Sequence, residues 1–85
     1  MTIKQILNKI GIDIACDIPK TSRTGEVVVT FINNEGERDE TSFDITNPLC
    51  VSSTEKQLSG LFKDFCKENN YDHRKAISVV VTAFN

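Results

Sequence analysis

The chain has no tryptophan, one tyrosine, one histidine, two prolines and four glycines among its 85 residues. Each shortage excludes something. The single histidine is His73, and the three cysteines, Cys16, Cys50 and Cys66, are widely spaced. No C-x-x-C pair exists, so a zinc site within one chain is not expected. The acids lack EF-hand spacing, which argues against calcium. No glycines precede Lys20-Thr21-Ser22, so the backbone cradle of a P-loop is missing. A cysteine nucleophile would need His73 beside it, and nothing local supports that arrangement. No apolar run approaches membrane-spanning length. Residues Met1 to Lys9 alternate charge and apolarity where a signal peptide would carry an apolar core. An excess of base is lacking too. The formal net charge of −2 removes the simplest electrostatic route to non-specific nucleic-acid binding. These absences predict a non-enzymatic, cytoplasmic protein with reduced thiols, no cofactor and no metal.

What is present is ordinary for a folded protein: 39% hydrophobic and 26% charged residues. The length predicts one domain, 1–85, with a small core. The last ten residues, Ala76 to Asn85, are rich in β-branched and aromatic residues and contain no Gly or Pro. They read as a strand with two largely apolar faces. Strict alternation puts Ile77, Val79, Val81 and Ala83 on one face and Val80, Thr82 and Phe84 on the other.

Upstream, Thr2 is a helix N-cap, and Ile3, Ile6, Leu7 and Ile10 recur at helical spacing until Gly11. The run Ile12 to Ile18 switches to period two and reads either as a short edge strand, stopped by Pro19, or as a packed coil. Glu26 to Ile32 is a strand, with Val27, Val29 and Phe31 on one face and Val28, Thr30 and Ile32 on the other. Asn33-Asn-Glu-Gly-Glu37 supplies a hairpin turn. The return strand, about Arg38 to Thr46, is anchored by Phe43 and Ile45. Ser52-Ser-Thr-Glu55 fits a capping box, and Leu58, Leu61, Phe62, Phe65 and Cys66 mark a buried helical stripe ending near Asn69 and Asn70.

The predicted fold is therefore α+β, in the order α-β-β-α-β. A mainly antiparallel three-stranded sheet, with room for a fourth short strand at 12–18, carries both helices on one face. A crossover that skips one strand places the last strand beside Glu26–Ile32. The other sheet face, Val28, Thr30, Ile32, Val80, Thr82 and Phe84, is an apolar patch of the kind that marks an interaction site. Three occupants fit it: the chain's own Ile12, Ile14, Ile18, Pro48, Leu49 and Val51, a second copy in a homodimer, or a foreign protein.

Charge is unevenly spread. Residues 26–50 carry six acids against Arg38 alone. Glu35, Glu37, Asp39 and Glu40 cluster at the predicted hairpin, where carboxylates would compete with phosphates for a partner's Lys and Arg groups. An alternative is a nucleic-acid-binding face built from Lys20, Arg23, Lys56, Lys63, Arg74 and Lys75. Asp64 and Glu68 interleave with the helical lysines, which suits a solvated face equally, and no exposed aromatics accompany them to stack bases.

The helix Ile3–Ile10, the acidic hairpin Glu35–Glu40 and the capped helix Ser52–Asn69 together resemble the plan of small anti-CRISPR proteins from phages of Gram-positive bacteria. The resemblance is one of architecture and covers most of the chain. It implies a small α+β inhibitor whose acidic face occupies the DNA-binding channel of an effector nuclease. The α-β-β start is also similar to double-stranded RNA-binding domains, but this chain ends in a strand and lacks their lysine cluster at the start of the second helix. The expected function is thus a protein-binding module, an inhibitor of the anti-CRISPR kind. Glu35, Glu37, Asp39 and Glu40 would supply its charged contacts, and Val80, Thr82 and Phe84 its apolar ones.

Overall fold

In the computed structural model, which describes residues 1–20 and 24–85, the first helix (α1, Ile3–Lys9) opens on a reciprocal cap. The Thr2 hydroxyl accepts from the Gln5 amide at 3.2 Å, and the Gln5 side chain accepts from the Thr2 amide at 2.9 Å. Gly11, at φ 91°, ends the helix in a conformation only glycine adopts freely. Ile3, Ile6 and Leu7 are buried. Ile10 was expected to extend their stripe but is 55% exposed, because the helix stops at Lys9 and turns it outward.

The run after Gly11 forms a short edge strand of two residues (β1, Asp13–Ile14). Next come β2 (Thr24–Ile32), β3 (Arg38–Thr46), the second helix (α2, Val51–Asn69), a short 3-10 turn (His73–Lys75) and β4 (Ala76–Phe84). The sheet order is β1-β4-β2-β3. β2 is antiparallel to both long neighbours, and β1 lies parallel to β4 at the edge. The fold is therefore the expected α+β arrangement, with a fourth short strand that makes the sheet mixed.

The turn between β2 and β3 is built by Asn33, whose side-chain oxygen accepts from the amides of Glu35 and Glu37 at 2.9 and 3.0 Å. Gly36 supplies the positive φ of 78°. Asn34 donates to the Asn70 carbonyl at 2.9 Å, which ties the hairpin tip to the end of α2.

α2 does not use the expected capping box. It begins at Val51 with Cys50 as N-cap and no side-chain cap bond. The Thr54 hydroxyl instead donates to the Pro48 carbonyl at 2.9 Å, and Pro48 is itself buried. That anchor starts the helix before Ser52 can cap it. Asn70, left-handed at φ 59°, ends the helix as expected.

Both helices pack on one side of the sheet, α1 against β4 and α2 against β3, and they touch each other. Between them lie Ile6, Val27, Val29, Phe31, Ile45, Leu58, Phe62, Val79 and Val81, all buried. Phe31 is the hub, with ring centroids 5.7 Å from Phe62, 5.7 Å from Phe65 and 5.2 Å from Tyr71. Leu61, assigned to this stripe from spacing, is 40% exposed, and Ile77 is only half-buried.

Candidate functional site

Opposite the helices no helix among the described residues covers the sheet. Of the segments expected to cover it, Ile12 and Cys16 pack against the helix-side core. Ile14 pairs with Val81 on that same side. Pro48 also lies there: its Cγ sits 2.8 Å from where a Cβ on Gly25 would be, beside the Val81 side chain. Ile18, Leu49 and Val51 are exposed.

Registry decides which residues line this outer face. Val28 pairs with Val80 and Thr30 with Ser78 across β2 and β4. On the other flank Glu26 faces Asp44, Val28 faces Ser42, Thr30 faces Glu40 and Ile32 faces Arg38. Asp13 pairs with Val80 from β1. The centre is thus half-buried Val28, Thr30 and Val80, rimmed by exposed Asp13, Glu26, Glu40 and Asp44, with Arg38 at one end. A shallow groove of about 230 Å³ runs between Glu26, Val28, Glu40 and Ser42.

Two breaks in the β2–β4 register correct the expected face assignments. Glu26 pairs with Ala83 but Val27 with Val81, which leaves Thr82 as an extra residue. Its hydroxyl donates to the Glu26 carbonyl at 3.3 Å and lies 3.4 Å from the Glu26 carboxylate. Beyond the break the phase is inverted. Ala83 joins the outer face, and Phe84 pairs with Gly25 and packs against the helix-side core. Phe84 was expected on the outer face beside Val80 and Thr82; it belongs to the inner one. At the other end Ile77 is the extra residue, and Ala76, opposite Phe31, is the buried one.

The hairpin acids do not form a single patch. Glu35 and Glu37 sit in the turn, Asp39 lies opposite Phe31 on the helix side, and Glu40 lies opposite Thr30 on the outer side. All four are exposed. Asp13, Glu26 and Asp44, which complete the acidic rim, were not singled out from sequence. Strand parity was the available signal, since Glu26, Glu40 and Asp44 are all even-numbered positions of one hairpin.

Lys20, Lys56, Lys63 and Lys75 are exposed, and Arg23 lies outside the described residues. Arg74 is held by Asp72, with Nε to Oδ1 at 3.0 Å and Nη2 to Oδ2 at 3.1 Å. This fork, through its hydrogen bonds, pulls the Asp72 carboxyl down to about 2. Among the described residues no cluster of three His, Cys, Asp or Glu is placed to hold a metal ion, and no helix is long and apolar enough to cross a membrane. The thiols are all free. Burial pushes Cys66 up to about 11, whereas the Ser52 hydroxyl lowers exposed Cys50.

The chain matches no protein-family model, no curated protein and no solved structure.

Proposed function

We propose that this chain is a non-enzymatic protein-binding module that docks its outer sheet face on a basic surface of a larger protein. One observation carries the reading. Glu26 and Asp44 face each other directly across β2 and β3, and the one ion pair among the described residues is Arg74 with Asp72 elsewhere. Like charges directly opposite on a sheet cost stability. Cations supplied by a partner would turn that cost into binding energy, while Val28 and Val80 supply apolar contact at the centre.

Basic surfaces of this kind belong above all to proteins that hold nucleic acid, because carboxylates and phosphates compete for the same Lys and Arg groups. The concrete form of the proposal is a phage or mobile-element inhibitor of a host nucleic-acid-binding effector, of the anti-CRISPR kind. A homodimer through the same face is the less favoured occupant. An isologous contact would set two copies of the acidic rim against each other.

The test compares affinity capture from host lysate by the wild type and by Glu26→Lys/Glu40→Lys/Asp44→Lys. A protein held by the wild type should be lost from the triple variant and displaced by added nucleic acid. Equal capture by both overturns the site. A dimer seen by light scattering and dissolved by Val80→Asp overturns the choice of partner.

A further inference from the structure

On the helical side, away from the sheet face, a cleft of about 380 Å³ opens between the first turn of α1, the middle of α2 and the 3-10 turn before β4. Ile3 and Phe62 lie behind it in the core, both buried. Its walls carry Lys4, Ser59, Lys63 and His73. Three separate segments are held in place to form it. Met1 exchanges two backbone hydrogen bonds of 3.0 Å with Ala76, which fixes the start of α1 beside the 3-10 turn. Asp72 caps that turn, accepting from the Arg74 amide at 2.9 Å. Phe62 locks α2 into the core through Phe31.

Lys4 and Lys63 both line this cleft, and neither has a carboxylate partner among the described residues. The nearest acid in sequence to His73, Asp72, is engaged by Arg74. Ser59 and His73 line the same cleft and bring a hydroxyl and an imidazole to its wall. Two point-like cations with hydrogen-bond donors suit a phosphate, for which lysine is a common partner. The volume falls at the small end of ligand-binding clefts, which run from roughly 300 to 1,000 Å³. We infer that this cleft binds a small organic phosphate monoester, its phosphate held by Lys4 and Lys63. The site is independent of the sheet face, so either proposal stands if the other fails.

The ¹⁵N-labelled full chain, titrated with phenyl phosphate and followed by amide chemical shifts, tests the inference. Saturable shifts should centre on Lys4, Ser59, Lys63 and His73. In Lys4→Ala/Lys63→Ala affinity should fall at least about tenfold, the scale expected when two charge-assisted contacts are lost. Both lysines are exposed, so the remaining spectrum should be unchanged and report an intact fold. Phenol and benzoate should bind more weakly than phenyl phosphate. No saturation by about 10 mM ligand, corresponding to negligible affinity, overturns the proposal. Equal binding of benzoate overturns the phosphate assignment. Tighter binding of a single-stranded oligonucleotide replaces the monoester with nucleic acid as the ligand.

Discussion

Because Thr82 has no partner on β2, Ala83 and Phe84 each occupy the face that strict alternation gives to the other. This is where sequence reading fails, and the reason is physical. Register is specified by hydrophobic pattern only where one phase is apolar and the other polar. From Ala76 to Phe84 both phases are largely apolar, so a one-residue slip leaves no trace in composition. Gly25, next to the bulge, has no room for a side chain. A Cβ there would meet Pro48 Cγ at 2.8 Å and the Ala83 carbonyl at 3.1 Å, on the face where Phe84 lies. Truncating Phe84 separates the two placements. Phe84→Ala should destabilise by about 2 kcal/mol, below the full cost of a buried Phe because the ring is only half-buried. Val80→Thr, on the open face, should change stability by less than about 0.5 kcal/mol. Denaturant unfolding of both variants measures this, and equal effects would return Phe84 to the outer face.

Element by element, most of the chain was legible. Thr2 and Gly11 bracket α1, the Asn33–Glu37 turn separates two nine-residue strands, and Asn70 stops α2, each by a local mechanism. The start of α2 was not legible, since the bond from Thr54 to Pro48 depends on Pro48 being buried, and burial is a tertiary fact. The same helix carries Gly60 on its exposed face, with no atom within 4 Å of an added Cβ. Gly60→Ala should therefore stabilise by about 0.5–1 kcal/mol through helix propensity and a less free unfolded chain. A raised denaturant midpoint at constant slope is the expected readout, and a lowered midpoint would show that the site tolerates no side chain. The 3-10 turn makes a pH prediction. Asp72 is lowered from 3.8 to about 2 by its hydrogen bonds to Arg74, so its stabilising effect is present above the unfolded value and fades as pH falls through the folded one. The group is at the surface and screened, so the effect is small. Asp72→Asn should lower the Tm near neutral pH, with the deficit shrinking as pH falls from about 4 to 2. A deficit constant across that window would contradict the ion-pair origin.

Across the whole molecule, the two sides of the sheet carry opposite chemistry. The helical side buries the core and opens a cleft lined by Lys4, Lys63 and His73. The other side is a flat apolar centre with an acidic rim. The acidic block of residues 26–50 is visible in the sequence, and proximity along the chain groups Glu35, Glu37, Asp39 and Glu40, which the fold divides between the turn and the two sheet faces. Strand parity sends Asp39 away and brings Glu26 and Asp44 together. Their opposition makes an unusual demand on the free protein: the residues proposed to bind should also be residues that destabilise it. Glu26→Lys places a cation opposite Asp44 and should raise stability by up to about 0.5 kcal/mol. It should at the same time weaken attachment to a basic partner. The decisive measurement is the affinity of the captured host protein for wild type and for Glu26→Lys/Glu40→Lys/Asp44→Lys, taken alongside their unfolding curves. The account predicts a folded variant of about wild-type stability, because lysines at 26 and 44 face each other as the two acids did, with binding weaker by a hundredfold or so, as the loss of several cross-interface charge pairs implies. Unchanged affinity in a folded triple variant would contradict it.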